Sequence, residues 1–322
     1  MNLNNLRSAA LNVREWFETN FSKETGLNHN DDIAIYFKVP SMLLAGDSEE
    51  KANEVQQFIM KNFLMNTGDF KKAENCKTEN PTYIEYYSYM NCWIMRSGLK
   101  LKIDMTNSFD YIHNNFNNYE LKDVSASDNC IELLTVANIG YTYLIKGDLQ
   151  EAIRAANCLE HFWNIQQEKD KYFYLRMDKH QKLIKSNPEN PFYCISKTND
   201  NQLYFFLGFP ISFLAELYDL TKDKKYLNLS KSYYNYTINC HGIFKSNFSH
   251  KVSWAASILY RITGDNIYLD AIEKITNHIL ENRDKTGLWL TNDGSIDYDQ
   301  TAEFANWFFE IIKNIEKRVD IK

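Results

Sequence analysis

Three short junctions, Gly46-Asp47, Gly147-Asp148 and Gly264-Asp265, each close one helical run and open another, and they constrain the fold of this chain more than any other feature. Glycine suits the left-handed residue that ends a helix, and an aspartate just beyond it accepts from the free amides that start the next. Lys222-Asp223 has the same place in a fourth unit, and Lys102 to Asp104 is a weaker version in a fifth. The helices after these junctions are amphipathic, as with Tyr268, Ile272, Ile275 and Ile279 in the run from Ile267 to Glu281. Their partner segments, roughly 31–45, 82–100, 128–146, 201–220, 249–263 and 298–317, are apolar nearly all round, as helices of an inner ring must be. This recurrence predicts an all-α fold, an (α/α)6 toroid of about six helical hairpins in a single domain spanning 1–322.

Composition agrees. Five Pro and eleven Gly in 322 residues are too few for an all-β protein, and 44% hydrophobic with 24% charged residues suits a large core. One connection, between Gln167 and Asn201, is longer than the rest. Within it Tyr172 to Asp178 and Phe192 to Ile195 alternate like strands, which predicts a β-hairpin lid over 171–197 at one mouth of the ring.

Several classes are set aside. A net charge of −6 without a basic stripe offers no nucleic-acid footprint, and no apolar run approaches the eighteen residues of a membrane span. Six scattered Cys with no CxxC pair give no metal site and read as reduced thiols of a cytoplasmic protein, in keeping with a start, Met1 to Ala10, that lacks a secretory signal. Walker, Rossmann, HExxH and GxSxG motifs are absent from the sequence, so no cofactor is expected, nor phosphoryl transfer, hydride transfer or serine hydrolysis. Oligomeric state is not readable from the sequence.

Repeat spacing and the loops Gly68-Asp-Phe70, Gly242-Ile-Phe244 and Gly287-Leu-Trp289 resemble the α/α-toroid superfamily over essentially the whole chain. Thr286-Gly-Leu-Trp289 looks like the last hairpin of unsaturated glucuronyl hydrolases, and Asp299-Gln-Thr-Ala-Glu303 is similar to a helix start in N-acylglucosamine and cellobiose epimerases. The same Asp299-Gln-Thr-Ala-Glu303 also resembles the Asp-Cys-Thr-Ala-Glu of oxidosqualene cyclases, where the Asp protonates the substrate, and Arg283 to Trp289 looks like a degraded Gln-Trp repeat. The epimerases' paired histidines are lacking, since only His250 opens an inner helix.

In a toroid the inner-helix N-termini converge on a central cavity with free amides and positive dipole ends. Polar residues recur there: Asp31, Asp32, Tyr36 and Lys38; Glu85, Tyr86 and Tyr87; Asp128, Asn129 and Glu132; Gln202 and Tyr204; His250, Lys251 and Trp254; Asp299, Gln300, Glu303 and Trp307. Each has a plainer reading. An Asp at a helix start caps it, an inner Tyr packs in the core, and a single His is as often structural as not. Lys38, Lys251 and Glu303, inside apolar helices, must be paired or wet. Asp299 and Glu303, four apart on one helical face, are the expected acid/base pair, with His250 as a further catalytic group, and mutual repulsion should separate their titrations. Arg176, with Asp178, is expected on the lid, closing over the ligand or pairing across the hairpin. These residues point to a small-molecule enzyme, a carbohydrate isomerase or hydrolase. The alternatives are a terpenoid or polyene cyclase with Asp299 as proton donor, and a non-catalytic toroid that binds a ligand or peptide.

Overall fold

The computed structural model describes residues 2–28, 30–115, 130–185 and 190–319. Among them are twelve α-helices: α1 (Leu3–Asn20), α2 (Val39–Ala45), α3 (Glu49–Phe63), α4 (Ser88–Lys100), α5 (Thr106–Asn115), α6 (Leu133–Lys146), α7 (Leu149–Ile165), α8 (Phe205–Thr221), α9 (Lys224–Ile238), α10 (His250–Thr263), α11 (Ile267–Glu281) and α12 (Tyr298–Val319). The even-numbered helices form a closed inner ring, in which α2 packs on α4, then α6, α8, α10 and α12 come in turn, and α12 returns to α2. Outer helices α3, α5, α7, α9 and α11 each pack on the inner helix before them, and α1 completes the sixth pair by packing on α12.

The junctions work as the repeat requires. Gly147 (φ 86°) and Gly264 (φ 75°) end α6 and α10 in the left-handed conformation, and Lys222 (φ 60°) does the same for α8. The Asp148, Asp223 and Asp265 carboxylates then accept from the amides of Glu151, Lys225 and Ile267. Tyr268, Ile272, Ile275 and Ile279 are all buried. The first junction differs. Asp47, not Gly46, is left-handed (φ 61°), whereas Gly46 has φ −89°. Glycine is needed there for space, because a Cβ would lie 2.8 Å from the Phe309 ring and 2.9 Å from Arg14.

Two inner helices start later than the apolar pattern suggests. A 3₁₀ turn at Ile33–Ile35 precedes the short α2, and another at Pro81–Ile84 precedes α4. Pro40 falls in the first turn of α2 and Pro81 opens the second 3₁₀ turn, positions where a missing amide leaves no helical hydrogen bond unmade.

A small two-stranded ladder joins β1 (Phe21–Ser22) to β2 (Gly26–Leu27). The long connection carries further strand pairing. Just before α6, β3 (Ile131–Glu132) pairs with β5 (Arg176–Met177), while β4 (Tyr172–Tyr174) pairs antiparallel with β6 (Cys194–Ser196), placing Phe173 opposite Ile195. Phe173, Leu175, Met177 and Ile195 are fully buried, so this connection is tied to the body of the ring through β3. Among the described residues, no helix is long and apolar enough to cross a membrane.

Helices α8 and α10 meet at Gly208, where an added Cβ would fall 2.6 Å from the Lys251 Cβ and 2.7 Å from its carbonyl carbon. Backbone cannot yield as a flexible side chain does. Gly208→Ala is expected to cost about 1–3 kcal/mol in urea unfolding by overpacking this contact; an unchanged midpoint would show that the two helices are not so closely apposed.

Candidate active site

The N-terminal ends of α2, α4, α8, α10 and α12 surround a cavity of about 380 Å³. Lys38, which precedes α2, reaches its floor, with His250 and Lys251 from the first turn of α10 and Asp297, Asp299, Gln300 and Glu303 from the start of α12. Asn80, Thr82, Tyr83, Tyr86 and Tyr89 form one side, and Pro191, Phe192, Leu203, Phe205 and Phe248 the other. The result is a polar floor facing an aromatic wall.

Glu303 is the centre of the floor. Its carboxylate accepts from Lys38 Nζ at 2.5 Å, Lys251 Nζ at 2.7 Å, the Tyr89 hydroxyl at 3.2 Å and the Trp307 indole at 3.1 Å. Two ammonium groups and these donors hold Glu303 ionised, well below the usual carboxylate range, against the burial that would raise it. Asp299 lies one turn earlier on the same face, 2.7 Å from Lys38 Nζ, and its side chain keeps 25% exposure toward the cavity. Desolvation in the pocket outweighs Lys38 and, with repulsion from Glu303, raises Asp299 to about 6.

Burial likewise lowers Lys251, to about 8, where Lys38 repels it and Glu303 only partly compensates. The balance for Lys38 goes the other way. Two carboxylates beside it raise its affinity for the proton despite burial, so it is the permanent cation of the floor. His250 is pushed down by burial and by Lys251 and stays neutral. Its Nδ1 lies 2.6 Å from the Asn247 carbonyl, which can only accept, so Nδ1 carries the proton. The Nε2 lone pair then faces Lys251 Nζ at 3.0 Å, with Glu303 Oε2 3.3 Å away.

Below this cluster the ring axis is filled with aromatic side chains. Trp254 and Trp307 stack at 4.0 Å between ring centroids, Trp93 lies 5.2 Å from Trp307, and Phe209 packs 5.4 Å from Trp254. Arg96 caps the plug, its guanidinium 5.0 Å from the Trp93 ring centroid while it donates to Asn138 and Thr142.

Of the residues singled out in the sequence, the structure brings Lys38, Tyr86, His250, Lys251, Asp299, Gln300 and Glu303 to the cavity. Trp307 touches it only through Glu303, and Trp254 lies wholly in the plug. Tyr36 is elsewhere, its hydroxyl donating to the Asn30 carbonyl and accepting from the Leu27 amide. Gln202 fastens its own loop through both backbone groups of Ser196, and the Tyr204 hydroxyl donates to the His241 carbonyl. Tyr87 is committed to Asp69, at 2.6 Å. Glu132, fully buried and raised to about 7 by desolvation, caps α6 by accepting from Leu134 and Thr135 amides.

Arg176 and Asp178 do not close over a ligand, nor do they pair. Arg176 is buried and donates to Glu85 Oε2 at 2.5 Å and to the Phe192 carbonyl at 3.1 Å, so Arg176 and Glu85 together brace the segment that puts Phe192 in the wall. Asp178 instead accepts from the amides of its own turn, His180 and Lys182. Asp31 pairs with Lys72 outside the cavity, and Asp32 caps the first 3₁₀ turn. Asp128 and Asn129 lie outside the described residues.

The sequence reading missed Tyr83 and Tyr89, which share the cavity face with Tyr86 at a spacing of three, and the wall residues Phe192, Phe205 and Phe248. The Gly287-Leu-Trp289 loop is not in the lining. Trp289 donates from its indole to the Ile279 carbonyl and packs 4.9 Å from Phe304, fixing where α12 begins. Among the described residues, no group of His, Cys, Asp and Glu is placed to hold a metal ion.

Known structures share this ring. A D-mannose isomerase superposes with a TM-score of 0.67 at 10% identity, over 98% of this chain and 97% of that one. A family 76 glycoside hydrolase from a bovine Bacteroides thetaiotaomicron strain gives 0.64 at 14% identity, over 96% and 77%. The cellobiose 2-epimerase of Bacillus thermoamylovorans gives 0.62 at 14%, over 97% and 100%. These likenesses show the fold, an α/α toroid. No protein-family model and no curated sequence matches the chain.

Proposed function

We propose that this toroid is a carbohydrate-processing enzyme that isomerises or epimerises a sugar by moving a proton next to its carbonyl. The asymmetry of the two carboxylates carries this reading. Glu303 is wrapped by four donors and fixed as an anion, whereas Asp299 is open to the cavity and raised to about 6, the range in which a carboxylate both takes and returns a proton near neutrality. Lys38 supplies a fixed positive charge where an enediolate oxygen would form. Ring hydroxyls find partners in Asn80, Gln300, Tyr83 and Asp297, and the apolar face of a sugar packs on Phe205 and Phe248. Pro191 and Phe192, from the long connection before α8, serve as the cover. Among the neighbours, a mannose isomerase and a cellobiose 2-epimerase bear names for such reactions, and their chains are spanned almost end to end.

Glycoside hydrolysis fits the floor less well. An inverting hydrolase holds its carboxyl groups roughly 6.5–9.5 Å apart on opposite sides of the scissile bond. Here one Nζ, 2.7 Å from Asp299 and 2.5 Å from Glu303, draws both to one side. A retaining enzyme needs a free nucleophile, and Glu303 has no free approach. A cyclase needs a deep hydrocarbon chamber and a strong acid, whereas the ring axis is plugged by Trp93, Trp254 and Trp307 and an acid near 6 is too weak to protonate an alkene.

The test is incubation of mannose, glucose, fructose and cellobiose with the protein in D₂O, followed by proton NMR. A new epimer carrying solvent deuterium at C2, or a new ketose carrying it at C1, is the expected result. Reducing ends released from an α-mannan, with no deuterium in any free sugar, would replace this reading by hydrolysis.

A further inference from the structure

Two lysines flank Glu303, and they are not equivalent. Lys38 is shared between Asp299 at 2.7 Å and Glu303 at 2.5 Å, whereas among the described residues Lys251 has ion-pair contact with Glu303 alone, at 2.7 Å. Its other polar neighbour is the Nε2 lone pair of His250 at 3.0 Å, a proton acceptor whose tautomer is fixed by the Asn247 carbonyl. Lys251 Nζ also lies 4.5 Å from the Phe205 ring centroid and 5.3 Å from that of Tyr89, at the edge of the cavity. A lysine beside a second cation, against apolar surface and in contact with a base, is the arrangement that provides a free amine nucleophile.

We propose that Lys251 is a covalent catalyst, its Nζ condensing with the carbonyl carbon of the open-chain sugar to form an imine from which the neighbouring proton is removed. This rests on the reading of the cavity as a sugar isomerase site. The Nζ lone pair forms the carbon–nitrogen bond as the carbonyl π pair moves to oxygen. The lysine ammonium first yields a proton to His250 Nε2; after attack a second nitrogen proton passes to the oxygen, and the carbinolamine hydroxyl, protonated by His250, leaves as water to give a protonated imine. The electron sink at C1 lets the Asp299 carboxylate take the C2 proton, giving an enaminol. Rotation about the carbon–nitrogen single bond of the enaminol turns the other face of C2 toward Asp299, and return of the proton there yields the epimeric imine. Water then releases product and restores the amine, so no oxidant or reductant is consumed.

Reductive trapping tests this directly. The protein is incubated with ¹³C-labelled mannose, or with glycolaldehyde as a short open-chain probe, and sodium cyanoborohydride, then digested and mapped by mass spectrometry. The expected result is a reduced adduct concentrated on Lys251, with a yield that climbs as pH rises through about 8, where the amine becomes free. Lys251→Arg keeps a cation for Glu303 and should abolish the adduct; if that variant does not fold, the wild-type map still decides. Adducts spread over exposed lysines with Lys251 unmodified overturn the proposal. Should deuterium enter C2 while Lys251 stays unmodified, the imine is excluded and the isomerase reading survives. A Lys251 adduct without any isomerisation supports the nucleophile and removes the proposed reaction instead.

Discussion

Replacing Asp299 with Asn is expected to lower turnover by about 10²–10⁴-fold, the range for losing a positioned general acid or base, while leaving the fold nearly as stable. The stability half rests on the direction of the pKa shift. A carboxyl raised from 3.8 to about 6 binds its proton more tightly in the folded state than in the unfolded state. Its ionisation therefore opposes folding, and that stability is lost as pH climbs from about 4 to about 6. At neutral pH the substituted amide no longer asks the pocket to hold a second anion beside Glu303, although Lys38 keeps only Glu303 as its partner. These effects offset, so Tm should move by only a few degrees. In wild-type protein kcat/KM should rise with pH through about 6 as the carboxylate forms, and this limb should vanish in the residual activity of Asp299→Asn. A variant with normal turnover and lost stability would make Asp299 a structural residue.

The helical frame was legible because its signals are local. Gly147, Gly264 and Lys222 must be left-handed for a helix to stop, and Asp148, Asp265 and Asp223 cap the helix after each, all within a few residues. Gly46 looked identical in sequence and shares that role only in part, since its neighbour Asp47 takes the turn and the glycine accommodates Phe309 from the far end of the chain. A contact between residues so far apart in sequence leaves no local trace.

The site was legible wherever burial of charge forced a conclusion. Lys251 and Glu303 sit in apolar helices and Lys38 at the mouth of one, so their charges had to find partners of the opposite sign among themselves or with Asp299. Tyr36, Gln202 and Tyr204 went astray because a position near a helix start fixes the height of a side chain along the ring axis but not whether it points inward or back into a loop. Arg176 was expected either over a ligand or paired across the hairpin, because its partner Glu85 is 91 positions away. Tyr83, Tyr86 and Tyr89 could have been found together. Their spacing of three runs from the 3₁₀ turn that holds Tyr83 into the start of α4 that holds Tyr89, and residues three apart on a helical path share a face.

Glu303→Gln should have the opposite signature from Asp299→Asn, with a loss of stability of about 3–5 kcal/mol, the cost of removing one partner from a buried ion pair. The amide keeps size and can still accept from Tyr89 and Trp307, so packing is hardly disturbed. What changes is charge. Lys38 retains Asp299, but Lys251 is left buried with no carboxylate of its own, beside another ammonium. Glu303 is held well below the ordinary carboxylate range, so in wild-type protein its contribution is present above that range and disappears as pH falls through the lowered folded value. Glu303→Gln should lack this acid-dependent loss while being weaker at neutral pH. A second substitution discriminates the cause. Lys251→Met in the Glu303→Gln background removes the stranded charge and should recover part of the loss, whereas the same change in wild-type protein should destabilise. Urea unfolding of the four proteins gives the coupling as a double-mutant cycle. A Glu303→Gln loss below about 1 kcal/mol, the scale of an exposed ion pair, would mean that the floor is wet and that the contrast between a fixed Glu303 and a titrating Asp299 is wrong.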